Sequence, residues 1–203
     1  MTDFWPLEPL WPKETVFLLG GGPSLRCVDL GLLRSRRVLA INSSAKLAPW
    51  ADALFFTDQP WLDKHGELVA QWPKLVFTLS FPPVRNLPPN VKQVSALKMD
   101  PLFEGGSIKR GQSSGHTAIG LAASLGASRI VLLGYDMRFV AGRSHCHDDH
   151  TSPDENIYAD VFIPAFKGWN EAAKLSGVEV FNATPGSALK EFPAVEFEEI
   201  WST

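Results

Sequence analysis

The chain has 203 residues, of which 45% are hydrophobic and 20% are charged, and its formal net charge is −3. This slightly negative charge excludes a general nucleic-acid patch and a general attraction to anionic membranes. No apolar run approaches the roughly 20 residues that a membrane span requires. The first residues also lack the charged-then-apolar order of a signal peptide. We therefore expect a cytoplasmic protein without a membrane span.

The length favours one domain, because a chain of this size buries roughly 70% of its unfolded surface and needs no disulfide bond or structural metal to be stable. We predict a single α/β domain over residues 1–203, with an irregular arm at residues 1–14 and a tail at residues 191–203. Cys27 and Cys146 are then expected to be reduced thiols, with one disulfide bond between them as the alternative.

The first predicted strand ends in a glycine-rich turn. Residues 15–19, TVFLL, form an apolar run that is typical of a buried parallel strand. Glycines allow the backbone to approach a ligand, and we expect a serine cap on the next helix, whose amides would point at an anion. This pattern favours phosphate or nucleotide binding, with a plain tight turn as the alternative. The residues of the turn are Gly20, Gly21, Gly22, Pro23 and Ser24, the last being the predicted cap.

Two known phosphate-binding loops do not fit this turn. No Gly-Lys-Ser/Thr follows it, which excludes a Walker loop. The dinucleotide fingerprint requires a further glycine where Leu25 stands, and an acidic residue about 20 positions on. The second predicted strand ends instead in Asn42, which can bind a sugar or a base but argues against NAD.

Strands and helices alternate along the rest of the chain, which predicts an α/β, three-layer, Rossmann-like fold with a mostly parallel sheet and helices on both faces. In such sheets ligands bind beyond the carboxyl ends of the strands. Asn42, Asp58, Asp136 and Asn182 follow predicted strands, as the glycine-rich turn does, so we predict one site there. The later predicted strands are residues 38–41, 53–57, 75–79, 91–95, 129–133 and 178–181, and helical segments begin near residues 25, 42, 59, 114 and 164.

Two segments between these elements are candidate binding loops. Residues 105–111 are glycine-rich and basic, which predicts either a lid over the site or a plain surface loop. Ser113, Ser114 and Gly115 open a helix whose apolar stripe follows at once, so the serines are expected to cap it.

A third segment, the histidine loop (residues 145–150, HCHDDH), holds three of the five histidines. The pattern matches that of metallo-β-lactamase-like hydrolases, but we reject this interpretation because no histidine follows His150 to complete such a site. A simpler metal site, with zinc or manganese on His145, His147 and Asp149, stays open. So do a general base, which histidine suits because its usual pKa lies near neutrality, and a polar surface loop.

Taken together, these motifs resemble a family of α/β proteins with a modified Rossmann fold. It includes motility accessory factors, bacterial CMP-sialic-acid-dependent sialyltransferases and an archaeal 6-hydroxymethyl-dihydropterin pyrophosphokinase, with small phage and bacterial proteins among its members. The ordered matches span roughly residues 15–190. They are GGGPSL at residues 20–25, Asn42, SSG at 113–115, RIVLLGYD at 129–136, the histidine loop with its flanking residues, and TPGSAL at 184–189.

The sialyltransferase branch implies a nucleotide-sugar-dependent glycosyltransferase that transfers a sugar, with inversion, to an acceptor hydroxyl. His150 would be the general base, and no cofactor would be required. Residues 20–24 and Asn42 would hold the phosphate and ribose, Ser113, Ser114 and Gly115 the phosphate or sugar, and the backbone of Gly186 and Ser187 the base. The acceptor is undefined, and a homo-oligomer stays open.

The sequence departs from that branch in two places. Gly21 stands where the family has asparagine, and residues 137–142 lack the two tyrosines that meet the departing phosphate. Arg138 and Arg143 are candidate substitutes, or the donor differs. The pyrophosphokinase branch would instead use ATP and Mg²⁺, with Asp136, Asp148 or Asp149 as metal ligands. A nucleotide-binding accessory protein without turnover is the non-enzymatic alternative.

Overall fold

The computed structural model describes residues 4–80, 84–97, 103–104, 107–109, 111–149 and 154–202. Its centre is a sheet of seven parallel strands, which confirms the predicted Rossmann-like α/β fold. The strands of this sheet are β1 (Thr15–Leu19), β2 (Arg37–Ile41), β3 (Ala53–Phe55), β4 (Leu75–Leu79), β5 (Val91–Val94), β9 (Arg129–Leu133) and β10 (Glu179–Asn182). They lie side by side in the order β10-β9-β1-β2-β3-β4-β5.

The sheet is buried on both faces, because alternate residues of each apolar strand enter two different cores. In β1, Val16 and Leu18 face one core, whereas Phe17 and Leu19 face the other. Helix α1 (Gln59–Ala70) covers the second core; α2 (Ser114–Ser124) and α4 (Trp169–Leu175) cover the first. Shorter elements are 3-10 helices at Pro23–Cys27, Leu30–Leu33, Asn42–Lys46 and Phe197–Ser202, a π-helix at Tyr158–Phe162 and helix α3 at Ile163–Ala165.

A small second sheet lies between β5 and α2. It joins β6 (Ala96–Leu97), β7 (Phe103–Glu104) and β8 (Ser107–Lys109) in the order β6-β8-β7. The predicted lid at residues 105–111 falls partly here, and its residues 105, 106 and 110 lie outside the described residues.

Two helix starts differ in their outcome. Ser113 caps α2 as predicted, its Oγ accepting from the amide of His116 at 3.2 Å. The prediction that Ser24 caps the first helix is wrong. Gly22 occupies that position and Pro23 begins a 3-10 helix, because the Ser24 hydroxyl instead donates to Asp136 across the sheet.

The chain order of the strands reverses between β1 and β9. From β1 the chain builds outward to β5 on one side, then returns to place β9 and β10 on the other side of β1. In open α/β sheets such a reversal marks a crevice beyond the carboxyl ends of the two strands, where ligands bind. Across the described residues, no helix combines the length and apolarity that crossing a bilayer demands.

Candidate functional site

A cleft of about 130 Å³ lies at this switch point. The glycine-rich turn after β1 forms its floor, the N-terminus of α2 stands on one side, and the histidine loop stands on the other. The predicted residues that line the cleft are Gly20, Gly21, Gly22, Asn42, Ser113, Ser114, Gly115, Asp136, His145 and His147. The structure thus brings together residues from five separate stretches of the sequence.

Two of the three glycines are required by packing against the loop after β9. A Cβ atom on Gly22 would stand 1.9 Å from Oδ2 of Asp136 and 2.6 Å from the carbonyl oxygen of Gly134. One on Gly20 would stand 2.6 Å from the same carbonyl. A Cβ atom on Gly21 would meet only side chains, at 3.3 Å from His145 and 3.5 Å from His147. Gly21 is therefore the glycine that faces the cleft.

Asp136 anchors the glycine-rich turn. Its side chain is buried, and its two carboxylate oxygens accept from the Ser24 amide at 3.2 Å and the Ser24 hydroxyl at 2.8 Å. Burial raises the pKa of the Asp136 carboxyl above its usual range, and the bonds from Ser24 offset this in part. Since both oxygens are engaged by the turn, Asp136 has the geometry of a positioning residue.

The N-terminus of α2 supplies donors to the cleft. Ser113 uses its side chain and its carbonyl to accept from the amides of His116 and Thr117. The amides of Ser114 and Gly115 belong to the first turn, where no intrahelical acceptor exists. The hydroxyl of Tyr135 fixes this end of the helix by donating to the carbonyl of Gly115 at 2.9 Å. Such an end attracts an anion.

Asn42 follows β2 and lines the cleft in a left-handed backbone conformation, with φ of 51°. Asparagine tolerates this conformation better than most residues, and such strain is concentrated at functional sites. Its Nδ2 donates to Oγ of Ser114 at 3.4 Å, which links the end of β2 to the start of α2. Ser114 in turn lies 2.6 Å from Oγ1 of Thr57, at the end of β3.

The histidine loop is tied to the glycine-rich turn by its backbone. The amide of Cys146 donates to the carbonyl of Gly21 at 2.8 Å, and Nε of Arg26 donates to the carbonyl of Cys146 at 2.6 Å. The rings of His145 and His147, with centroids 5.1 Å apart, are thereby held beside Gly21. His150 lies outside the described residues, so its predicted role stays a prediction.

The carboxylate of Asp149 lies in a basic cluster, with Oδ2 3.9 Å from Nδ1 of His147 and 3.2 Å from Nε2 of His65. The same carboxylate accepts from Ser43 at 2.5 Å and pairs with Lys46 at 2.7 Å and Lys64 at 3.0 Å. Burial raises the pKa of Asp149, but the bonds from Lys46, Ser43 and Lys64 outweigh it and hold the pKa well below its usual range. Within the described part of the chain, no three His, Cys, Asp or Glu side chains are grouped to hold a metal ion.

Several predicted site residues are placed beside the cleft instead of on its lining. Pro23 and Ser24 are buried next to the turn. Ser187 is buried and its hydroxyl donates to the carbonyl of Tyr135 at 2.6 Å, while the predicted contact of its backbone with the base stays a prediction. Gly186 is exposed, and Arg143 is exposed with its guanidinium 3.7 Å from Asp148.

Sequence reasoning missed the aromatic wall of the cleft. Tyr158 and Phe162 line it from a π-helix, a geometry that is frequent at functional sites. The hydroxyl of Tyr158 donates to the carbonyl of Ser144 at 3.2 Å. The only signal was that residues 137–142 lack tyrosine while one of the chain's two tyrosines stands at position 158. An aromatic pair four residues apart is more often core, so spacing did not reveal it.

Comparisons with known proteins identify the type of fold. No protein-family model matches the sequence, and no curated protein sequence matches it. Among solved structures, the chain is similar to the sialyltransferase CstII from Campylobacter jejuni, in complex with a substrate analogue, cytidine-5'-monophosphate. The TM-score is 0.52 at 14% sequence identity, and the match covers 91% of this chain and 85% of that one. The chain therefore has a sialyltransferase-like fold.

Proposed function

We propose that this protein is a nucleotide-sugar-dependent glycosyltransferase that transfers a sugar to an acceptor hydroxyl. The observation that carries the proposal is the cleft at the topological switch point of a fold shared with a sialyltransferase. That neighbour was solved with cytidine-5'-monophosphate, a nucleotide. Switch-point crevices are the usual binding place for nucleotides in open α/β sheets.

The donor phosphate is assigned to the space between the glycine-rich turn and α2. Gly20, Gly21 and Gly22 present only backbone to this space, and the first-turn amides of Ser114 and Gly115 are the anion donors. Asn42, on the same lining, is assigned to a ribose hydroxyl. Tyr158 is assigned the place of the missing tyrosines, its hydroxyl turning from the carbonyl of Ser144 to the departing phosphate.

In the reaction, the acceptor oxygen forms a bond to the anomeric carbon as the bond from that carbon to the phosphate oxygen breaks, with inversion. The negative charge that develops on the phosphate is met by the positioned backbone donors. The acceptor proton passes to a histidine of the histidine loop. His150 is the base that the family resemblance implies, and His145 and His147 line the cleft.

The first test of this proposal is whether the protein binds a nucleotide. Thermal unfolding should be measured with CMP, CDP, UDP, GDP, ATP and NAD in turn. A nucleotide at 100 times its dissociation constant stabilises the folded state by about 2.7 kcal/mol, which raises Tm by roughly 5–10 °C at this length. Stabilisation by NAD alone would overturn the proposal.

The second test is whether the protein transfers a sugar. Sugar transfer that survives EDTA is expected, whereas an absolute requirement for Mg²⁺ with ATP would establish the diphosphokinase alternative instead. Replacing the base with alanine should lower turnover by about 10²–10⁴-fold and leave nucleotide affinity near normal. Single variants His145→Ala, His147→Ala and His150→Ala identify it. Tight nucleotide binding without any transfer would identify an accessory protein and refute the enzyme.

A further inference from the structure

Asp58 occupies a helix-capping position without capping its helix. It is the N-cap residue of α1, where aspartate normally accepts from an amide of the first turn, but its side chain makes no such bond. Its Oδ2 lies instead 3.3 Å from Oγ1 of Thr57 and 3.4 Å from Oγ of Ser114 on α2. The carboxylate is therefore turned towards the cleft wall and is not used to begin α1.

A continuous polar row joins this carboxylate to the lining of the cleft. Ser114 lines the cleft and contacts Asn42 on one side and Thr57 on the other. Asn42 also lines the cleft, and its Oδ1 is buried without a hydrogen-bond partner in the part of the chain that the structure describes. The row thus ends in an exposed carboxylate that can accept hydrogen bonds from a ligand.

The position of the row fits the sugar of a bound donor. The glycine-rich turn follows β1 and Asp58 follows β3, with β2 between them. Neighbouring strands lie about 4.8 Å apart, so the two ends are separated by roughly 10 Å. A phosphate held at the turn can place its attached sugar ring along Ser114 towards Asp58.

From this geometry, and resting on the proposed function, we propose that Asp58, at the end of the polar row next to the cleft, selects the donor sugar. Asp58 favours a neutral sugar or an amino sugar, whose hydroxyl or ammonium groups donate to the carboxylate. It rejects a sugar that carries a carboxylate, because two like charges would then face each other. The donor is on this account a nucleotide linked to a neutral or amino sugar, and not to a sialic acid.

Two matched ligand pairs test the proposal by calorimetric titration. UDP-glucose and UDP-glucuronic acid differ only by a carboxylate on the sugar, and CMP-sialic acid is compared with CMP. The wild-type protein should bind the acidic member of the UDP pair about tenfold more weakly, as expected for one like-charge contact screened by solvent. It should also bind CMP-sialic acid no more tightly than CMP.

The variant Asp58→Asn removes the charge and keeps the shape, and it should raise the affinity for whichever acidic donor binds by about tenfold. Asp63→Asn, which removes an exposed carboxylate from the next turn of α1, is the matched control and should change neither ratio. Unchanged ratios in Asp58→Asn, with CMP or UDP still bound, would overturn the role of Asp58 alone. Failure of every nucleotide to bind would instead overturn the proposed function.

Discussion

Replacing Gly22 with alanine should destabilise the glycine-rich turn and lower the free energy of unfolding of the protein. The added Cβ would stand 1.9 Å from the Asp136 carboxylate and 2.6 Å from the carbonyl oxygen of Gly134, and the latter is backbone of the loop after β9. The turn must then move by more than an ångström, which breaks the two bonds from Ser24 to Asp136. Overpacking costs about 1–3 kcal/mol, and a hydrogen bond to a charged group contributes about 1.5–3 kcal/mol. Together these costs come to at least about 4 kcal/mol, so we expect a loss of that size or more, which lowers Tm by at least roughly 8 °C.

The matched control is Gly21→Ala, whose Cβ meets only His145 and His147, at 3.3 and 3.5 Å. Its free energy of unfolding should stay within about 0.5 kcal/mol of wild type. Because that methyl group enters the cleft, its nucleotide affinity should fall instead. Urea denaturation followed by fluorescence measures the first quantity, and nucleotide titration the second. Equal stability losses in the two variants, or a Gly22→Ala protein as stable as wild type, would refute the argument that packing, and not ligand approach, requires Gly22.

Three further outcomes are expected. Asp149→Asn should lower the free energy of unfolding at pH 7 by about 1 kcal/mol, since the paired lysines are partly exposed. The folded-state pKa of Asp149 is lowered, so this stabilisation is present above the unfolded value near pH 4; in urea denaturation the two proteins should converge as the pH falls below it. Iodoacetamide at pH 8 should label exposed Cys27 and spare Cys146, whose burial raises its pKa to about 11, and mass spectrometry showing two labels on the native protein would contradict this. Asn182→Ala should cost about 2–4 kcal/mol in the same denaturation assay, because its buried amide makes three bonds to the following loop, and a loss below 1 kcal/mol would disprove that role.

The strands were predictable because a buried parallel strand needs only a short apolar run. Residues 15–19, 75–79 and 129–133 have the predicted bounds, and the other strand ends of the seven-stranded sheet differ by one or two residues. The strands of the small sheet were not predicted. The cap of α2 was predictable for a similar reason, since Ser113 bonds an amide only three residues away. The same reasoning failed at Ser24, whose hydroxyl bonds Asp136, 112 residues further along the chain. Local preference decides a cap only where no distant partner competes.

The sequence by itself determined the elements, the glycine-rich turn and the polar residues that follow the strands, because periodicity and capping depend on neighbours in the chain. Only the tertiary structure decided that β9 returns beside β1, because strands buried on both faces look alike and carry no record of which strand they adjoin. That return places Asp136 under the glycine-rich turn and brings Tyr158 into the cleft. It also turns Asp149 from a candidate metal ligand into a partner of two lysines. These contacts span roughly 85–115 residues, a separation at which no spacing rule of the sequence acts.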